Sequence, residues 1–352
     1  MRKKSLDFLK SILSSPSPSG YEQPVQKIWS EYTKKFADVH TDSHGNAIGV
    51  LNPKGTPRLM LAGHCDEIGF MIRYIDKNGF LYFGPIGGFD ETIIPGRRVT
   101  VHTSSGPVPG VTGKTPIHLI KRDERNKGSE IKDIWIDIGV KDKKAAEKLI
   151  AIGDPVTYVD DFMEMKTGLV VARAFDDRIG SFAVTEVLRE LSESKTLKAS
   201  VHSVSTVQEE LGIRGATSSA FGIDPQVGIA TDVTFATDQP GVEEKQVGEI
   251  KLGGGPVIAR GPNINPRVFD LLVETAKKKK IPYQVEGISR ATGTDANAIQ
   301  ITRAGVAAGL VSIPVRYMHT PVETLDLKDA EYTIKLMAGF AETLTPGMNF
   351  TP

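Results

Sequence analysis

Cysteine is all but absent: Cys65 is the one thiol in 352 residues. A single thiol excludes an internal disulfide framework and a cysteine-rich zinc site. Net charge is missing too, since Lys plus Arg and Asp plus Glu each number 43. That balance argues against nucleic acid or an anionic membrane surface as a partner, because both select a basic excess. No apolar run approaches the roughly 18 residues that a membrane span needs. The opening segment, MRKKSLDFLKSILSSPSPSGYE, begins basic, but Asp7 and Lys10 interrupt its apolar positions. It therefore reads as an amphipathic helix rather than a signal peptide, and a cytoplasmic protein is the expectation. Tryptophan is scarce, with Trp29 and Trp135 alone. A glycoside hydrolase sets two carboxylates across a sugar cleft, and this chain has little tryptophan to line one. What remains is ordinary globular composition, 39% hydrophobic and 24% charged, in a chain long enough to bury a large core without staples.

The apolar pattern divides the chain. Leu6, Leu9 and Leu13 recur at helical spacing, and SPSPSG stops that helix. A second helix is expected over Glu22 to Phe36, and buried strands over Asn46 to Leu51 and Arg58 to Ala62. Short strands then crowd together: Phe70–Ile75, Phe80–Phe83, Arg98–Thr103, Val108–Thr112, Ile134–Ile138 and Pro155–Val159. Lys77-Asn78-Gly79 marks a hairpin between the first two. These predict a small β domain over residues 68–161, inserted into an α/β domain formed by 1–67 and 162–352. In the latter, helices are expected at Arg178–Leu191 and Leu327–Leu344, and strands at Ser200–Val207, Val227–Thr231 and Ala304–Ile313. Alternating strands and helices predict a mostly parallel sheet covered on both sides.

In open α/β sheets ligands sit at the carboxyl ends of strands. Five expected strand ends each deliver a histidine or a carboxylate: His64 with Asp66, then Asp176 and Asp177, then Glu209 and Glu210, then Asp232, and finally His319. Two imidazoles with several carboxylates and no thiolate suit Zn²⁺, Co²⁺ or Mn²⁺. Carboxylates converging in one cleft repel each other unless cations neutralise them. The composition is that of a two-metal hydrolytic site. Spacing alone leaves aminopeptidase, carboxypeptidase, deacylase and amidohydrolase open.

The same residues stand in longer motifs: GHCDEIGF (63–70), AFDDRIG (174–180), VQEELGIRGA (207–216), ATDVTFATDQPGV (230–242), KLGGGPVIARGPNINP (251–266), ATGTDANAIQ (291–300) and YMHTPVETL (317–325). In order and context they resemble the tetrahedral aminopeptidases, which include glutamyl and deblocking aminopeptidases within the co-catalytic zinc exopeptidase group. The likeness runs over essentially the whole chain. It implies a zinc-exopeptidase-like mixed sheet covered by helices, with an inserted β-barrel-like domain serving oligomerisation and substrate access. It also implies two divalent ions per subunit. His64 and Asp232 would hold one, Glu210 and His319 the other, with Asp176 shared and a cis bond to Asp177. Glu209 would be the general base, and Asp66 would fix the His64 ring. Short peptides would be the substrates, and dimers would assemble into a hollow dodecamer. An endo-acting glycoside hydrolase, or another amide hydrolase on the same scaffold, is the alternative. Gly253-Gly254-Gly255 lacks a following GK[ST], so it reads as a tight bend near the substrate cleft rather than a phosphate loop. Gly293–Ala296 reads equally as pocket lining or as a turn into a helix cap.

Overall fold

The computed structural model describes residues 1–122, 128–159 and 162–352. The chain opens with α1 (Lys3–Ser14) and α2 (Gln23–Thr33), followed by β1 (Asp38–Thr41), β2 (Ala47–Leu51) and β3 (Arg58–His64). Next come β4 (Gly69–Ile75), β5 (Leu81–Ile86), β6 (Arg98–Thr103), β7 (Gly106–Lys114), β8 (Ile134–Asp137), the short α3 (Lys143–Glu147) and β9 (Pro155–Tyr158). Then β10 (Met163–Glu164) and β11 (Val170–Ala172) lead into α4 (Phe175–Ser192), β12 (Ser200–Thr206), α5 (Arg214–Ile223), β13 (Val227–Phe235) and α6 (Glu244–Val247). The chain closes with β14 (Val257–Arg260), α7 (Pro266–Lys279), β15 (Gln284–Gly287), α8 (Asp295–Gln300), β16 (Ala307–Val315), β17 (Glu323–Leu325) and α9 (Leu327–Thr343).

Local sequence explains the helices that matter. In α1, Phe8, Leu9, Ile12 and Leu13 are buried along one stripe, the spacing of an amphipathic helix. α2 carries Pro24 in its first turn and buries Val25 and Trp29, a position where the missing proline N–H costs nothing. α4 is buried almost throughout its length, as befits the helix that packs under the sheet.

The main sheet has the order β1-β2-β12-β3-β13-β16-β14-β15. Its four central strands, β12, β3, β13 and β16, are parallel. Antiparallel pairing appears on both sides, β2 against β12 and β14 against β16. The sheet is therefore mixed, and the alternation of elements described its centre rather than its edges. A second sheet, β10-β11-β17, lies apart. The crowded short strands close into a barrel of order β4-β5-β8-β7-β6-β9, with its own core around Phe70, Ile72, Val99 and Ile136. The expected end of that insertion, Asp161, lies outside the described residues. Among the described residues no helix is long and apolar enough to cross a membrane.

One close approach sets the scale of packing next to the site. A Cβ on Gly63 would lie 2.5 Å from the Gly180 carbonyl carbon, so only glycine lets β3 settle on α4 here. His64 follows directly, which fixes its backbone between sheet and helix.

Candidate metal centre

The β3–β13 ladder ends at Ala62 opposite Ala230. His64 and Asp232 each stand two residues beyond that last pair. Side chains repeat every second residue along a strand, so both project from the same face into the gap where the strands part. Asp232 thus sits inside β13 rather than past its end. β11, which precedes Asp176, belongs to the separate three-stranded sheet rather than to the main one. Asp176 comes into the cleft because the first residues of α4 are not helical: φ/ψ is −73/109 at Asp176 and −116/39 at Asp177, and the bond between them is cis. Glu209 and Glu210 follow β12 through Gln208, whose φ is +54. His319 lies in the loop after β16, with φ +60.

These segments converge. His64 Nε2 lies 3.2 Å from Asp176 Oδ1, and His319 Nε2 lies 3.2 Å from Asp176 Oδ2. His319 Nε2 is also 3.3 Å from Glu210 Oε1. Two donor groups result, His64–Asp176–Asp232 and Asp176–Glu210–His319, each with its ligand atoms within 4.8 Å of one another. Glu209 belongs to neither, but its Oε2 lies 3.8 Å from His64 Nε2. Cys65 is buried in the main hydrophobic core.

The rings are turned for metal. His64 Nδ1 lies 3.1 Å from the Asp66 carbonyl oxygen, and His319 Nδ1 lies 3.1 Å from that of Gly88. A ring nitrogen facing a carbonyl carries the hydrogen, so Nε2, which faces the carboxylate oxygens, is the nitrogen that would serve as metal ligand once its own proton is displaced. Each such contact needs a positive charge, which a second proton on the ring or a divalent ion in its place can supply. The donor set therefore fits divalent ions.

Charge tells the same story. Burial pushes Glu209 up to about 10, opposed by His64 and reinforced by Asp232, Asp295 and Glu210. Burial likewise raises Asp232 and Glu210. Burial also opposes the Asp176 carboxylate, but hydrogen bonds from His319 and His64 hold it well below the usual range. Burial draws His319 down, yet Asp176 and Glu210 outweigh it and carry the ring up to about 11. The carboxylates of such a set cannot all ionise together without more positive charge than the two rings supply.

A surrounding layer of carboxylates holds the backbone of the ligand residues. Asp66 accepts the N–H of Glu209 at 3.0 Å and of Glu210 at 3.2 Å, together with the Ser19 hydroxyl at 2.7 Å. Its side chain thus sets the Glu209–Glu210 turn, and its Oδ1 also lies 3.4 Å from His64 Nδ1, beside the carbonyl oxygen at 3.1 Å. Asp177 accepts the N–H of His64 at 3.1 Å. Glu323 accepts the N–H of Asp176 with one oxygen and of His319 with the other, both at 2.9 Å. Sequence reading missed Glu323, although it stands inside YMHTPVETL. Its one signal was a carboxylate four residues after a histidine. Glu22, also unanticipated, accepts the N–H of Gln208 at 3.1 Å. The triple glycine is not at the cleft: the N–H groups of Gly253 and Gly255 bind Asp329 at 2.7 and 2.8 Å. Gly293 and Thr294 do line the cleft, and Thr294 also caps α8, so both readings of that segment hold.

A family model described as M42 glutamyl aminopeptidase matches residues 45–336. A lysyl aminopeptidase of Pyrococcus furiosus is 42% identical over 353 residues, 98% of this chain and 99% of the relative. A TET aminopeptidase from a marine-sediment thaumarchaeote has a TM-score of 0.93 at 34% identity, with 97% of each chain covered. The Pyrococcus horikoshii TET1 peptidase, which can assemble into a tetrahedron or a large octahedral shell, has a TM-score of 0.86 at 33% identity, covering 96% of this chain and 99% of its own. An endoglucanase of Thermotoga maritima has a TM-score of 0.77 at 31% identity, covering 95% of this chain and 96% of its own. Fold and matches together define an α/β peptidase. Within that class the chain belongs to the M42 glutamyl aminopeptidase family.

Proposed function

We propose that the protein removes N-terminal residues from short peptides at a centre of two divalent ions. One observation carries this reading: the two oxygens of Asp176 face two different imidazoles, each at 3.2 Å, so two donor groups share one carboxylate. His64, Asp176 and Asp232 would hold one ion, and Asp176, Glu210 and His319 the other. Zinc and cobalt suit these donors best, and manganese is compatible with them. When bound, the pair would supply Lewis acidity, acidifying a water and polarising the scissile carbonyl.

The chain's own residues do the rest. Glu209 lies beside both groups without joining either. Burial is the main reason its carboxyl stays protonated, neighbouring anions add to it, and two nearby cations would oppose both. Ionised, Glu209 takes the proton of the attacking water and returns it to the leaving amine. Asp66 and Glu22 keep the Gln208–Glu210 backbone in place for this transfer. The TET1 relative's assemblies support a homo-oligomer here as well, with dodecamers as the specific expectation.

The experiment is hydrolysis of leucyl-p-nitroanilide before and after dialysis against EDTA, with N-acetyl-leucyl-p-nitroanilide and carboxymethyl-cellulose as controls. Activity on the free-amine substrate alone, lost with EDTA and restored by Co²⁺ or Zn²⁺, is the expected result. Light scattering of the same sample reads its mass as a multiple of 38.1 kDa. Cellulose cleavage without anilide cleavage would favour the glycosidase alternative, but no tryptophan lines the cleft among the described residues: Trp29 is in the main core and Trp135 is on a barrel strand.

Glu323 offers a second test. Glu323→Leu removes the group that holds the backbone of both Asp176 and His319. It is expected to weaken divalent-ion affinity by about 10–100-fold, measured by competition with a chromogenic chelator. Unaltered affinity would show that the ligands hold their geometry without it.

A further inference from the structure

The link between α1 and α2, residues 15–22, begins with SPSPSG, which stops the first helix. A loop that runs over the surface leaves its polar groups to water. Here Ser17, Ser19 and Glu22 are all buried, so each has to find its partner inside the protein. The partners flank the residues of the centre in sequence. Glu67 donates its N–H to the Ser17 carbonyl at 3.0 Å and accepts the Ser17 N–H at 2.9 Å. The Ser17 hydroxyl donates to the Cys65 carbonyl at 2.6 Å. Arg178, next to Asp177 and fully buried, donates to the Ile12 and Leu13 carbonyls at 2.8 and 2.6 Å and meets the Ser17 hydroxyl and the Glu67 carboxylate. Arg173 is a second cation on Glu67. The link is thereby clamped against the end of β3 and the start of α4 together.

Past the clamp, the link reaches the turn that carries Glu209. Ser19 Oγ lies 2.7 Å from Asp66 Oδ2, closer than either backbone N–H that this carboxylate accepts. Three residues on, Glu22 Oε1 accepts the N–H of Gln208 at 3.1 Å and that of Gly20 at 2.7 Å. We infer that residues 17–22 are a positioning strap for the general base, with Ser19 as its aiming residue: the hydroxyl fixes the plane of the Asp66 carboxylate and, through it, the backbone of Glu209 and Glu210. The inference rests on the reading of Glu209 as base. A carboxylate turns easily about its last bond. Without Ser19, Asp66 Oδ2 keeps only the 3.2 Å bond from Glu210, and the two oxygens are no longer held to one plane. A hydroxyl bound to an ionised acceptor is the stronger kind of hydrogen bond, so its loss is felt along the whole relay. Ser19 belongs to neither donor group and does not line the cleft. Its part is therefore to position and not to react.

The test compares wild type with Ser19→Ala, Ser19→Cys and Tyr21→Phe. Cysteine is close to serine in shape but is a weak donor, so it loosens Asp66 with little change in packing. Tyr21 belongs to the same link, but its hydroxyl bonds the Gly153 carbonyl just before β9, at 2.7 Å, rather than Asp66. For leucyl-p-nitroanilide, kcat is expected to fall about tenfold in Ser19→Ala and less in Ser19→Cys, with KM and the number of ions per chain as in wild type. Amide exchange of the zinc-loaded proteins, followed by mass spectrometry, should quicken at residues 209–210 in both Ser19 variants. Tyr21→Phe should keep wild-type kcat and wild-type exchange there. Ser19 variants that match wild type in kcat and in exchange, or a Tyr21→Phe that loses as much kcat as Ser19→Ala, overturn the aiming role and leave the aminopeptidase reading standing. Should Ser19→Ala not fold, Ser19→Cys decides alone. Failure of the metal-loaded wild type to hydrolyse the anilide overturns the reading of Glu209 as base, and the exchange at 209–210 then still decides whether Ser19 holds that turn.

Discussion

Glu209→Gln is expected to keep its divalent ions and to lose about 10²–10⁴-fold in kcat. Glutamine preserves the shape of the side chain, and the backbone at this position is held from outside, by Asp66 through the Glu209 N–H. The ligand atoms of both donor groups remain, because Glu209 supplies none of them. What the amide cannot do is accept a proton from water and pass it on. The loss should therefore fall on kcat, with KM for leucyl-p-nitroanilide changed far less. Metal content by inductively coupled plasma mass spectrometry gives the second reading. A variant that retained near wild-type turnover would remove Glu209 from the role of base.

Asp176→Ala should act in the opposite way, through the ions. Each Asp176 oxygen faces a different imidazole, so deleting the side chain takes a ligand from both groups at once. It also leaves Asp232 and Glu210 without the neighbour that completes each set. Metal content should drop below one ion per chain, and turnover should fall to that of the chelated wild type. Asp177 provides the contrast. Its oxygens accept the N–H groups of His64 and Gly180 at 3.1 and 3.0 Å, so Asp177→Ala should disturb stability more than stoichiometry. If Asp177→Ala lost the ions while Asp176→Ala kept them, the shared ligand would be Asp177.

The residues that meet at the centre were legible because their chemistry is unmistakable in sequence. A His-x-Asp, an Asp-Asp and a Glu-Glu, each beside an apolar strand, put far more charge at strand ends than packing or solubility requires. The sheet around them was less legible. β1 is polar and mostly exposed, so it lacks the alternation that marks a half-buried strand. β14 and β15 have four residues each, too few for a period to show. α5 is rich in glycine, serine and threonine, residues that favour caps and turns over helix interiors. Strand direction at the sheet edges is set by long-range pairing, which no local pattern encodes. The layer behind the ligands was hidden for a related reason. Glu323 and Asp177 work by accepting backbone N–H groups, and any residue can offer one, so their partners carry no signature of their own. Ser19 was legible only as part of a helix stop, and it acquires its setting only when the link after α1 is brought beside Asp66.

The Gly88 carbonyl that faces the His319 ring comes from the loop after β5, a strand of the barrel. The insertion is thus no detachable accessory. Excising the barrel, or exchanging it for that of a cousin with a differently shaped 87–92 loop, would free an imidazole to spin or to switch tautomer. Grafts between family members should therefore carry that loop along with whatever shell architecture they aim to transplant.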